Sequence, residues 1–314
     1  MSLLRKIVKI QREKKLFPKN CKVLIGFSGG VDSVVLYHAL KELKHFLSIK
    51  ELALAHFNHR LRDTSERDEK FCINFAKREG VKLFIESRDV RKFAEFKKLN
   101  IEEAGRLLRY EFFKRVCEEE GYDLVATAHH LNDLAETIIM WLARGTGIEG
   151  LKGFEPKEDN IVRPLYYVKK EEIIEFAINN KIEWVEDETN LSENLSRNII
   201  RLKVIPALKE FNKNIEETFL QTKLIVEAED ELLNKITEEA YNKSLISRYM
   251  LNARTLRKYH VAIQRRVLKR WTGLKSFRKI EQIRRLLHKG GKAYIGEGKI
   301  VESKEGKLCI ILKN

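Results

Sequence analysis

The chain's 314 residues, 43% hydrophobic and 34% charged, have a soluble globular composition and are enough for about two domains. No apolar run is longer than Ile138–Ala143, far short of the roughly 20 residues of a membrane span, and Met1–Lys15 alternates apolar with basic residues, unlike a secretory signal. The net charge of +15 is unevenly laid: residues 1–100 carry 23 Lys/Arg against 12 Asp/Glu, residues 101–250 carry 20 against 30, and residues 251–314 carry 18 against 4. The expected partner is a polyanion, nucleic acid foremost, gripped by the terminal segments. Cys21, Cys72, Cys117 and Cys309 are scattered without a CxxC pair, which excludes a zinc ribbon, an iron–sulfur signature and a disulfide framework. A reducing cytoplasm is the expected setting.

The first 190 or so residues read as strands alternating with helices. Lys22–Phe27 is a short apolar run suited to a buried parallel strand, and helical periodicity follows over Val31–Leu43. Between them stands Ser28-Gly29-Gly30-Val31-Asp32-Ser33. Two glycines let successive N–H groups point into one concavity, the next helix N-terminus adds partial positive charge, and two hydroxyls can donate further bonds. That is a phosphate cradle, with Asp32 placed to hold the Mg²⁺ that accompanies nucleotide phosphates. The lysine of the GxxxxGKS/T loop is missing.

Leu52–Asn58 is a second strand, a helix opened by Thr64 runs to Gly80, and Val81–Ile85 is a third strand. Asn100 with Glu103 resembles a capping box starting a helix that ends at Gly121. Tyr122–Ala128 is a fourth strand and leads into a helix from about Asn132 to Ala143; Lys169–Asn180 is a further helix and Ile182–Glu186 a short fifth strand. This alternation predicts an α/β fold, a doubly wound parallel sheet with helices on both faces, whose ligands bind beyond the C-terminal strand ends.

After the fourth strand, positions 133, 136, 137 and 140 share one helical face, while Leu134, Ile138, Trp141 and Leu142 share another that belongs to the core. The polar face brings Asp133 and Glu136 to the same end of the sheet as Asp32. Carboxylates over a phosphate cradle suit a Mg²⁺ site and an amine-binding site; near a helix N-terminus they also complement the macrodipole. His129, His130 and Asp133 suggest a metal-dependent hydrolase as well, but no second His/Asp cluster completes a ligand set.

From about Arg197 long amphipathic stretches run to about Lys289, with Asn214 and Glu217 a second capping box. Gly290–Gly291 then leads into the runs KAYIG, GKIVES and KLCIIL, a short antiparallel sheet with a Lys-Glu-Gly turn. The expected division is residues 1–210, an ATP-binding catalytic domain, and residues 211–314, a smaller, mostly helical, basic domain.

The Ser28–Ser33 loop resembles the PP-loop of the ATP pyrophosphatase superfamily, in which ATP is cleaved between its α- and β-phosphates. His56-Phe57-Asn58-His59-Arg60-Leu61-Arg62, Ala104-Gly105-Arg106-Leu107-Leu108-Arg109-Tyr110 and Ala126–Thr137 are similar in order and spacing to segments of the tRNA(Ile)-lysidine synthetases. So are Arg144-Gly145-Thr146-Gly147, Arg163-Pro164-Leu165, Glu186-Asp187-Glu188-Thr189-Asn190, and Arg197-Asn198 with Arg201. The resemblance spans residues 22–205. It implies adenylation of C2 of the wobble cytidine in the isoleucine tRNA with a CAU anticodon, followed by displacement of AMP by the ε-amine of free lysine. ATP and Mg²⁺ are then the cofactors, and tRNA and L-lysine the partners. Asp32 and Asp133 become the expected catalytic and metal-holding residues. Ser28, Gly29, Gly30, Val31, Asp32, Ser33 and Arg109 are the expected ATP contacts, and Asp133 with Glu136 the lysine contacts.

Arg257, Arg265, Arg266 and Arg270 lie among apolar residues at helical spacing and, with Arg201, are the expected tRNA contacts, holding the molecule without reading its sequence. A PP-loop tRNA thiolase is the nearer alternative, although the cysteines supply no convincing sulfur-transfer set. A non-catalytic RNA-binding protein is the alternative of another class. No membrane partner is expected, and a homodimer stays open.

Overall fold

The structure, a computed structural model, describes residues 2–60, 65–186, 196–296 and 298–312. Thr64, expected to open a helix, lies outside the described residues, as do Leu61, Arg62 and Asp187 to Asn190 of the motifs above. The chain divides into two units, Met1–Lys223 and Leu224–Asn314.

The first unit opens with α1 (Leu3–Lys14), which buries Leu3, Ile7 and Ile10 at helical spacing. β1 (Cys21–Gly26), α2 (Val31–Glu42), β2 (Ile49–Asn58), α3 (Ser65–Glu79) and β3 (Lys82–Ser87) follow the apolar runs closely. A short α4 (Val90–Lys97), not foreseen from periodicity, starts at Asp89, whose side chain accepts from the Lys92 N–H. Asn100 does cap α5 (Ile101–Glu120), accepting from the Glu103 N–H at 2.8 Å, and Gly121 closes it in the left-handed region. β4 (Leu124–Ala126), α6 (Leu131–Ala143), α7 (Ile148–Leu151), β5 (Lys157–Glu158), β6 (Ile161–Val162) and α8 (Lys170–Asn179) complete the sheet region.

The strand order is β3-β2-β1-β4-β6-β5, parallel except for β5. Leaving β1, the chain builds outward to β3 and then crosses back to place β4 on the other side of β1. Winding direction therefore reverses between β1 and β4, and their C-terminal ends part into a crevice. Both sheet faces are covered. Val23, Ile25 and Leu54 pack with Val34, Leu36 and Phe75 on one side; Leu24, Ala53 and Phe57 pack with Leu108, Phe112 and Phe113 on the other.

Ile182–Glu186, expected as the fifth strand, is irregular instead. The place beside β4 is taken by β6, which pairs Ile161 with Val125 and Val162 with Ala126. Val185 N–H donates to Gly29 O at 2.9 Å, so the segment is tied to the phosphate loop rather than to the sheet.

α9 (Ser196–Ile199) continues through one π-helical turn, Ile200–Val204, into α10 (Ile205–Phe211). Pro206 lacks an N–H, so the hydrogen-bond ladder must restart there. Asn214 stands just before α11 (Ile215–Ser244), but its side-chain oxygen accepts from Lys169 Nζ at 3.2 Å. The division between the two units falls within α11.

In the second unit the rest of α11 is followed by β7 (Leu245–Ser247), β8 (Met250–Asn252), α12 (Ala253–Arg257), α13 (Val261–Thr272), α14 (Phe277–Lys289), β9 (Gly291–Gly296), β10 (Lys299–Lys304) and β11 (Lys307–Leu312). The antiparallel order is β7-β8-β11-β10-β9, two strands wider than expected. The Lys-Glu-Gly turn is present: Glu305 and Gly306 both take positive φ, 53° and 77°, as a tight hairpin requires. Ile263, Val267, Leu268, Ile283 and Leu287 pack on Val301 and Leu308.

Asn132 joins three helices of the first unit. Its oxygen accepts from the Lys170 N–H at 2.8 Å at the start of α8, and its Nδ2 donates to fully buried Glu216 of α11 at 2.9 Å. Asn132→Ala leaves buried groups without these partners and is expected to lower unfolding free energy by about 1–3 kcal/mol. Urea denaturation checks this; an unchanged midpoint refutes the bridging role.

Candidate active site

The phosphate loop lies at the mouth of the β1/β4 crevice. Gly29 has φ of 84°, and a Cβ there would meet Phe71 at 3.1 Å and Cys72 Sγ at 3.3 Å, so glycine is required twice over. Ser33 Oγ donates to Gly30 O at 3.0 Å and accepts from Ser28 N–H at 3.2 Å, while Ser28 Oγ accepts from Gly30 N–H at 3.3 Å. The two hydroxyls thus brace the loop. No side chain caps α2, which leaves its first N–H groups to an incoming anion.

The loop borders a cleft of about 420 Å³. Gly26, Phe27, Ala55, Phe57 and Phe113 make its apolar wall, and Asp32, His56, Arg109, His129 and Asp133 its polar one. Gly26 makes room for the wall, since a Cβ there would stand 3.0 Å from Phe113 Cζ. His56 Nδ1 lies 2.9 Å from Phe27 O and 3.3 Å from Cys72 Sγ. Burial pushes His56 down and the Cys72 thiol up, so both are neutral. Arg109, from α5, lies over the Tyr110 ring at 5.7 Å, and among the described residues no carboxylate pairs with it. It offers a free guanidinium to the cleft.

Asp32 and Asp133 both line the cleft, Glu136 shares Arg197 and Arg201 with Asp133 behind it, and each acid already holds a cation. Lys170 Nζ donates to Asp32 Oδ1 at 2.6 Å. Asp133 accepts from the His130 N–H at 2.9 Å through one oxygen, and faces Arg197 at 3.1 Å and Arg201 at 3.6 Å through the other. Burial alone would raise the Asp133 carboxyl; His130 and Arg197 hold it well below the usual carboxylate range. Glu136, only 1% exposed, receives Arg197 Nε at 2.7 Å and Arg201 Nε at 2.6 Å and is not among the cleft's lining residues. The buried imidazole of His130 stands between the two outer acids, with Nε2 3.8 Å from Asp32 and 3.6 Å from Asp133. The spacing of His130 and Asp133 foreshadows that pair, but neither Lys170 nor the approach of His130 to Asp32 was foreseen; the crossover to β4 and the start of α8 bring them there.

Among the described residues, no group of three or more His, Cys, Asp or Glu is arranged to hold a metal ion. Mg²⁺ at nucleotide sites needs fewer protein ligands, since one or two carboxylates and phosphate oxygens suffice. Half-exposed Asp32 beside the loop fits that requirement. Both oxygens of Asp133 are engaged.

Other expected contacts are spread more widely. Arg163 is buried, bonded to Glu155 O and to Glu158 at 2.8 Å. Exposed Arg144 lies over Trp141. In the second unit Arg265 pairs with Glu281 at 2.7 Å, Arg266 with Asp230 at 2.7 Å, and Arg270 with Glu238. Arg257 is exposed and, among the described residues, has no acid partner.

Residues 2–208 match the PP-loop domain family and residues 248–310 the TilS-like substrate binding domain. The tRNA(Ile)-lysidine synthase of Petrotoga mobilis is 38% identical over 237 residues, which cover 75% of this chain and 76% of that protein. The chain belongs to the tRNA(Ile)-lysidine synthase family. The synthase of Persephonella marina is 36% identical over 91% of this chain and 64% of its own length, and that of Pseudothermotoga lettingae 44% identical over 68% and 47%. The chain thus spans between about half and two thirds of the length of these two relatives. The fold is also that of the U34-tRNA thiolase NcsA from Methanococcus maripaludis with its 4Fe-4S cluster, at a TM-score of 0.60, 20% identity and coverage of 72% and 78%.

Burial holds His129 down at about 3, with Nδ1 2.9 Å from Thr127 Oγ1. The unfolded chain protonates this imidazole below about pH 6.5, whereas the folded one refuses the proton until about pH 3. Stability is therefore expected to fall as pH drops through that window. His129→Gln should make the pH dependence of the urea midpoint shallower by about one proton. An equal slope in both proteins contradicts the assignment.

Proposed function

We propose that this chain forms lysidine. The C2 oxygen of the wobble cytidine attacks the α-phosphate of ATP and pyrophosphate leaves. The ε-amine of free lysine then attacks C2, and AMP departs with the oxygen. The observation that carries the reading is the meeting, at one crevice, of an uncapped phosphate loop, an arginine with no acid partner among the described residues, and carboxylates held by Lys170, Arg197 and Arg201.

Each residue has a role that its surroundings support. The Ser28–Ser33 loop and the N-terminus of α2 receive the β- and γ-phosphates, and the apolar wall from Gly26 to Phe113 suits a flat base. A cytosine carbonyl is a weak nucleophile, so Arg109 earns its place by drawing charge off the α-phosphate. Asp32, with Asp133 behind it, would hold Mg²⁺, which when bound neutralises the departing pyrophosphate. Asp133 and Glu136 are the proposed contacts of the lysine ammonium; their affinity for cations is already satisfied by Arg197 and Arg201, so the substrate enters by exchange with a guanidinium. Arg201 stands where it can turn to the tRNA once released. Residues 224–314, with 21 Lys/Arg against 10 Asp/Glu, are proposed to hold the body of the tRNA; Arg257 has no acid partner among the described residues, whereas Arg265, Arg266 and Arg270 are each held by an acid of the unit. The cytoplasm is the proposed location. The thiolase alternative rests on a more distant fold relative, and Cys21, Cys72 and Cys117 are each buried in place.

Incorporation of labelled lysine into isoleucine tRNA with a CAU anticodon, in the presence of ATP, is the test. Asp32→Asn and Arg109→Ala should each lower kcat/KM by at least about 100-fold while leaving the unfolding midpoint close to wild type. No incorporation by the wild-type chain, or incorporation of sulfur in place of lysine, overturns the reading.

A further inference from the structure

Basic residues are plentiful throughout the second unit, but the arginines of α13 are already paired with acids. On α13, Arg265 is bound to Glu281, Arg266 to Asp230 and Asn234, and Arg270 to Glu238 with its guanidinium 4.7 Å from the Tyr241 ring centre. Bonded to both Arg265 and Arg284, Glu281 is pulled down to about 2, and it is the only acid on α14. These pairs fasten helices of the unit to one another, and a phosphate would have to compete with a carboxylate for each guanidinium.

α14 presents a different surface. Ile280, Ile283, Leu286 and Leu287 face the core. At 100° per residue, Arg278, Gln282, Arg285 and Lys289 fall within about 60° of one another on the opposite side. All four are exposed, and among the described residues none of the three cations has an acid partner. They extend over about 16 Å of helix, a length comparable with several phosphates of a nucleic-acid strand. Ser276 caps the helix by accepting from the Lys279 N–H, and Lys279 Nζ donates to Ile295 O at 2.9 Å, so the stripe is mounted on an anchored element.

We propose that the outward stripe of α14 (Arg278, Gln282, Arg285, Lys289), and not the arginine-rich α13, is the surface on which the second unit carries RNA, through the phosphate backbone of a duplex stem. The proposal rests on the tRNA reading above and adds to it the face that does the holding. Phosphate contacts need unpaired cations and a polar donor in a row, and give grip without sequence choice. The stripe has no apolar residue to insert into a lipid interface, and no aromatic anchor of the kind that dominates protein–protein contacts. A ribophosphate strand is the partner whose chemistry it matches.

The test uses the full chain, the isoleucine tRNA transcript and an unrelated RNA duplex, with affinity measured by anisotropy across a KCl series. The triple variant Arg278→Gln, Arg285→Gln, Lys289→Gln removes no side-chain bond among the described residues and should unfold at the wild-type temperature. It should bind both RNAs at least tenfold more weakly near 0.1 M salt, with the slope of log affinity against log salt reduced by about 2 to 3. Arg266→Gln with Arg270→Gln should instead lower the unfolding temperature and leave that slope within about one of wild type. If the wild-type chain modifies tRNA and the α14 variant binds with unchanged affinity and slope, the stripe is not the docking face. If binding depends on the stripe but no lysine is incorporated, the surface stands and the lysidine reading falls. Binding of the wild-type chain to anionic vesicles or an acidic protein in preference to RNA overturns the proposal.

Discussion

A carboxylate buried in an apolar helix has to find cations, and the architecture of the first unit follows from where Glu136 finds them. Its partners, Arg197 and Arg201, stand four apart on the segment that runs from α9 into the π-helical turn, so both reach the same side chain. Around them Ala135, Ile200 and Ile205 close a small apolar cluster against α6. Removing one member would leave the others charged in a poorly solvated place, a loss larger than that of a surface pair. The segment following the sheet is therefore fixed beside the crevice by charge and by packing together, and it carries two guanidinium groups to the edge of Asp133.

That arrangement sets the electrostatics of the crevice. Three acids, Asp32, Asp133 and Glu136, face Lys170, Arg197 and Arg201, and Arg109 is left over. The surplus is positive, as a triphosphate needs. Because the loop has no lysine of its own, its positive charge arrives from α5, α8 and α9, elements far apart in the chain. The reversal of winding between β1 and β4 is what makes them neighbours. Because the acids already hold cations of the chain, ammonium or metal binding exchanges one cation for another instead of uncovering a bare charge.

Local features were legible in the chain. The apolar run before Ser28 and the glycines after it describe a strand, a turn and a helix start within some ten residues, and Asn100 and Gly121 mark both ends of α5. What failed was competition between distant segments. Ile182–Glu186 has a strand's composition, yet the place beside β4 was already filled by Ile161–Val162, a pair too short to stand out. α4 is a single polar-faced pair of turns whose start shows only as Asp89. In the site, Asp32, Arg109 and Asp133 could be named because each sits just beyond a strand end or on a helix returning to one. Lys170 and His130 could not be placed, since only the folded sheet measures their distance from Asp32. The burial of Glu136 was hidden too: helical spacing put it on the polar face of α6, but the arginines that cover that face come some 60 residues later.

Charge tells the same story at a larger scale. Along the chain the acids gather in the middle and the bases at the ends, which reads as separate acidic and basic surfaces. In the fold, acids of α11 reach bases of α13: Asp230 takes Arg266 and Glu238 takes Arg270, pairs 36 and 32 residues apart. A paired cation presents little net charge to a partner, whereas Arg257 and the cations on the outer side of α14 have no acid partner among the described residues to offset them. A residue count therefore overstates how much of the basic end is available and misplaces it. The availability of a cation is decided by which acids fold against it, and in this unit the acids of α11 fold against α13.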